Sequence, residues 1–96
     1  MKLLTKELRE SLPKIYSCEK INDPEVKVKF FLPGTGWTWY VLEFDGNDSF
    51  FGCVVGNFPE LGYFSLSELE SLTGPLGVKV ERDMYFKPVK LSEVKQ

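Results

Sequence analysis

Trp37, Trp39 and Tyr40 are closely spaced, and on an extended strand the two indoles share one face while the phenol takes the other. Paired indoles suit a binding platform, for stacked bases or for a protein partner, and they equally suit the core of a small sheet. Further along the chain, Glu81, Arg82 and Asp83 place a guanidinium between two carboxylates. Arg82 belongs to the stripe Val78, Val80, Arg82, Met84, Phe86, so strand alternation aims it inward, where a lone charge demands a carboxylate. Glu43 shares a strand face with Trp37, Trp39 and Val41, and the expectation is therefore an inward ion pair between Glu43 and Arg82. The functional reading of the same residues is a polar site in an aromatic cleft, with Arg82 holding an anion and Glu43 or Asp83 acting as acid or base. Glu81 and Asp83 would offer oxygen ligands to a divalent cation, yet two carboxylates are a thin ligand set, and a solvated strand face accounts for them more simply.

The remaining composition removes whole classes of chemistry. The chain has no histidine, which takes away the commonest general base and metal ligand, and Cys18 and Cys53 are too far apart in sequence for a thiolate zinc motif. Cys53, between Gly52 and Val54 in an apolar run, reads as a buried thiol, and Cys18 as the more exposed one, with no base to activate either. Gly34, Thr35 and Gly36 lack the strand, loop and helix order of a phosphate cradle, and Asp45 to Asp48 lack the spacing of a calcium loop. No catalytic residue, metal or cofactor is expected. Twelve basic against 14 acidic residues give a formal charge of −2, which removes the bulk attraction that phosphate-backbone binders use. The opening segment is too short and too charged for a signal peptide or membrane span, so the expected compartment is the cytoplasm, with thiols reduced.

The elements that would position these residues follow from capping and alternation. At 96 residues, of which 43% are hydrophobic, the expectation is one domain over residues 1–96 with one core. Thr5 caps a short helix carrying Leu8 and Leu12 that stops at Pro13, and the stretch from Ile15 to Pro24 is a loop. Val26 to Leu32 alternates as a strand with one solvated face. Trp37 to Phe44 is apolar on both faces and belongs at the centre of a sheet. Asp45, Gly46, Asn47 and Asp48 form the turn of a hairpin whose second strand runs from Phe50 to Val55, and Leu61 to Phe64 adds another strand. Ser65 with Glu68 makes a capping box for a helix carrying Leu66, Leu69 and Leu72. Val78 to Lys87 reads as one extended segment, and Leu91 to Gln96 as a terminal turn capped by Ser92. The fold class is α+β, an antiparallel sheet of about four to five strands with two or three short helices packed on it.

The segments Phe30-Phe31-Leu32-Pro33, Trp37-Thr38-Trp39-Tyr40, Phe50-Phe51-Gly52, Glu60 to Leu66 and Val80-Glu81-Arg82-Asp83 resemble the bacterial family called domain of unknown function 2958. The resemblance spans nearly the whole chain and implies a small protein of chromosomes, plasmids, phages and integrative elements. It brings no catalytic residues with it. The expected role is a non-enzymatic protein-binding module of a mobile-element or host-interaction system, its surface combining Trp37, Trp39 and Tyr40 with Glu81, Arg82 and Asp83. One alternative is a single-stranded nucleic-acid binder in which Lys27, Lys29, Lys79 and Lys87 flank the aromatics. A second is a carboxylate and metal-dependent nuclease or hydrolase using Glu43, Glu81 or Asp83.

Overall fold

Thr5 opens the first helix as its spacing predicts: its hydroxyl accepts from the Leu8 N–H at 3.2 Å, and α1 spans Lys6–Ser11. The chain, seen in a computed structural model that describes residues 2–94, then crosses a loop and enters β1 (Glu25–Val26) and β2 (Val28–Phe31). Three long strands follow, β3 (Thr38–Phe44), β4 (Ser49–Val55) and β5 (Pro59–Ser65), and β5 runs directly into α2 (Leu66–Ser71). A single 3-10 turn at Pro75–Gly77 leads to the short strands β6 (Glu81–Arg82) and β7 (Val89–Lys90), and α3 (Leu91–Val94) closes the described chain. The architecture is α+β. A five-stranded antiparallel sheet has the order β5-β4-β3-β2-β6, and β1 pairs with β7 in a two-stranded ribbon beside it.

The central place of β3 follows from its apolar side chains on both faces, which need cover on both sides. Directly opposed residues of an antiparallel ladder share a face. Arg82, Phe30, Trp39, Val54 and Glu60 therefore form one row across all five strands. That row lies on the core face, where Val28, Phe30, Trp39, Val41, Phe44, Phe50 and Phe64 pack against Leu3, Leu4 and Leu12 and against Leu66 and Leu69 of α2. The opposite face carries a smaller cluster in which Val26, Leu42, Cys53 and Leu91 are buried, with Tyr40, Phe51 and Phe86 packed against them. The small cluster leaves part of this second face uncovered, and it is called the cleft face below.

Both hairpin and capping box form, with partners that local sequence does not reveal. Gly46 takes the left-handed conformation at φ 88, and the Asp45 carboxylate accepts from the N–H groups of Asn47, Asp48 and Ser49. Ser65 caps α2 by accepting from the Glu68 N–H at 3.1 Å, and its hydroxyl donates to the Glu68 carboxylate. Asp48 reaches across from the hairpin and accepts from both the N–H and the hydroxyl of Ser67, so the turn and the helix start are fastened together.

Two expectations about alternation and one about a cap need correction. The expected strand Val26 to Leu32 breaks at Lys27, which sends Val26 to the cleft-face cluster and Val28 to the core. The extended segment expected from Val78 to Lys87 keeps only two strand residues, because Asp83 folds it over by accepting from the Tyr85 N–H. Met84 is consequently exposed and does not share Arg82's stripe. At the C-terminus Ser92 is itself capped, its N–H and hydroxyl donating to Asp23, while residues 95–96 of that expected turn lie outside the described residues.

Candidate functional site

The residues singled out in sequence do not assemble into one surface. Trp39 is buried at 7% exposure inside the core, whereas Trp37, just ahead of β3, is 47% exposed and stacks on it with ring centroids 6.2 Å apart. Tyr40 lies on the cleft face against Phe86, where burial pushes its hydroxyl pKa up. Arg82 and Asp83 sit two strands away, at the far edge beyond β2. Arg82 donates through Nη1 to the backbone carbonyls of Lys2 and Leu3, which ties the N-terminal strap to the sheet. Asp83 pairs with Lys29 at 3.7 Å, and Glu81 is exposed.

The expected ion pair between Glu43 and Arg82 does not form, and a β-bulge is the reason. The register of β3 against β4 shifts between Val41 and Glu43, inserting Leu42 as an extra residue. One extra residue reverses which face each later side chain takes. Glu43 therefore pairs with Phe51 on the cleft face, while Arg82, opposite Phe30, stays on the core side. The Glu43 carboxylate is 3% exposed and accepts from the backbone N–H groups of Tyr16 at 3.0 Å and Cys18 at 2.7 Å. It is an anchor for the loop between α1 and β1, and both its oxygens are already bonded. Tyr16 holds the left-handed conformation at φ 72, which is costly for a tyrosine and is sustained by that anchoring. Burial first and the neighbouring Glu43 charge second push the Cys18 thiol pKa up, which works against a nucleophilic role.

The anchored loop stands off the sheet and leaves a cleft of about 420 Å³ between itself and β4 and β5. Ile21, Leu42, Phe51, Leu61, Tyr63 and Leu91 make it largely apolar, and the neighbouring Tyr16 hydroxyl pushes the Tyr63 pKa up. Leu61 is 47% exposed and Tyr63 59%, and both belong to β5, the outermost strand of the sheet. This strand is seven residues long and pairs only with β4, so alternate N–H and C=O groups of its outer side face away from the sheet. At its start, Trp37, Gly56, Phe58 and Glu60 enclose a second, smaller recess of about 170 Å³ on the core-face side.

One signal in the sequence, hidden by the net charge, points to this region. Between Lys29 and Lys79 there is no lysine or arginine, while Glu43, Asp45, Asp48, Glu60, Glu68 and Glu70 all fall there. Because β3, β4, β5 and α2 come from this stretch, these four elements carry acidic and neutral residues only. All 12 basic residues come from the two ends of the chain, which a net charge of −2 conceals. Two of the lysines expected to flank the aromatics are held by carboxylates, Lys27 by Glu25 and Lys29 by Asp83. Among the described residues no group of three or more Cys, Asp and Glu side chains is placed to hold a metal ion, and no helix is long and apolar enough to cross a membrane.

No curated protein and no solved structure matches the chain. A family model does match it, over residues 3–94, and it takes in the core strands, both sheet edges and the anchored loop. The chain belongs to the family described as protein of unknown function, DUF2958.

Proposed function

We propose that the protein is a non-enzymatic binding module that takes an extended segment of a protein partner along β5. The observation that carries this reading is the open edge itself, seven residues long, free of lysine and carrying exposed Leu61 and Tyr63. An added strand satisfies the outward N–H and C=O groups, and every second side chain of it falls toward the apolar cleft. The surface first expected around Trp37 and Tyr40 is thereby moved one strand pair outward, with Trp37 retained at its end. The setting in a bacterial cytoplasm, on a mobile element or in a host-interaction system, belongs to the same proposal. A nucleic-acid partner has less support, since Trp39 is buried and Lys27 and Lys29 are paired.

Affinity capture from source-cell lysate, with and without nuclease, tests this with two baits, the wild-type chain and Leu61→Lys. The expected result is a set of partners that survives nuclease and is lost from the variant. Partners that vanish with nuclease, or that bind the variant equally well, would overturn the proposal.

A further inference from the structure

The recess at the start of β5 has a chemistry different from that of the large cleft. Trp37 lies with the outer rim of its indole against Gly56, where even a Cβ would come within 2.7 Å of the ring, so the indole is held in place by that backbone and by Trp39 stacked on it. Phe58, exposed in the turn between β4 and β5, and the carboxylate of Glu60 line the same recess. Among the described residues no hydrogen bond or ion pair engages the Glu60 side chain. Two aromatic side chains and an available carboxylate lining about 170 Å³ match one long cationic side chain, which would gain an aromatic quadrupole and a charge-assisted bond together.

We infer that this recess binds a lysine or arginine side chain of the partner, so that the segment lying along β5 alternates basic and apolar residues. The inference rests on the edge-binding reading above. Glu60 shares the core-face row with Val54 and Trp39, whereas Leu61 and Tyr63 project to the cleft face. Successive residues of an added strand point to these two faces in turn. The basic residue therefore meets Trp37 and Glu60 while its neighbour enters the cleft beside Leu61. The acidic stretch between Lys29 and Lys79 draws such a segment in and disfavours an acidic one.

The test is a titration of the isotopically labelled protein, followed by amide NMR shifts, with synthetic extended peptides in which valine alternates with lysine, serine or glutamate. The expected result is shifts confined to β5 and its flanks, with the lysine peptide binding about tenfold more tightly than the serine peptide and the glutamate peptide weakest. Glu60→Gln and Trp37→Ala should each erase the lysine advantage, and Glu60→Gln decides the matter if the tryptophan variant misfolds. The double variant Glu68→Gln, Glu70→Gln removes more acidic charge outside the recess and should preserve most of the advantage. Equal binding of the lysine and serine peptides, or an advantage lost as fully in the double variant, overturns the recess while the edge reading stands. Absence of β5 shifts with every peptide overturns the edge reading and the recess with it.

Discussion

The two edges of the five-stranded sheet are treated in opposite ways. On one side the sheet ends in β6, two residues long, turned away by Asp83 and tied to the N-terminal strap through Arg82. On the other it ends in β5, seven residues long, with exposed Leu61 and Tyr63 and no basic residue. Short length, a turn and nearby Lys79 and Arg82 are devices that prevent strand addition, and the β6 edge has all of them. Pro59 at the first position is the one such device on β5. Under the proposed reading, an edge that is blunted on one side and open on the other would confine strand addition to β5, which is why β5 rather than the first-suspected tryptophan pair is the proposed binding surface.

The comparison can be broken most forcefully by detaching the strands that carry β5. Gly52 faces Val41 next to the bulge, and a Cβ there would overlap the backbone carbonyl of Tyr40. Gly52→Ala should cost about 3 kcal/mol or more, read as a large drop in the denaturation midpoint, because the obstacle is backbone and cannot rotate aside. Glu43→Gln leaves one of two buried N–H donors facing an amide in place of an oxygen. A loss of about 2 kcal/mol is expected, with faster amide exchange at Tyr16 and Cys18 as the local signature. Unchanged exchange there would show that the anchor is not what shapes the cleft.

Leu61→Lys sharpens the contrast by giving β5 the protection that β6 already has. Partner affinity should fall about tenfold, close to 1.4 kcal/mol, while stability moves by less than about 0.5 kcal/mol because the residue is half exposed. The smallest effect concerns the turns that hold each side together. Hydrogen bonds from Asn47, Ser49 and Asp48 hold the Asp45 pKa below its ordinary value, and Ser92 does the same for Asp23. Each depressed carboxylate adds stability that is present above its unfolded pKa of 3.8 and is lost as pH falls through its folded pKa. Asp45→Asn and Asp23→Asn should therefore flatten the acid limb of the stability profile below about pH 4. An unaltered limb in both variants would separate these turns from acid stability.

Much of the fold was legible because its determinants are local. Thr5 before Leu8, Ser65 before Glu68, and the Asp45 to Asp48 turn fix helix starts and a hairpin by bonds within four residues, and each formed where it was expected. The central position of β3 was readable from apolar residues on both of its faces. The site was less legible, and Glu43 shows why. A strand side chain takes its face from its register, and register depends on a bulge that the sequence around Leu42 does not announce. Reading straight alternation through the bulge placed Glu43 with Trp39 and invented a partner for it in Arg82. The acid-only stretch between Lys29 and Lys79 was visible throughout, but total charge averages it away.

The sequence by itself determined an α+β chain with one hairpin, two well-capped helices and a strongly apolar central strand, since capping, turn chemistry and apolar patterning act over a few residues. Only the tertiary structure decided which strands are edges, which face carries Glu43, and that Trp37 is open while Trp39 is closed. Those outcomes depend on contacts between residues far apart in sequence, such as Glu43 with Tyr16, Arg82 with Leu3 and Asp48 with Ser67. No local preference encodes them, because their free energy exists only once the layers have packed.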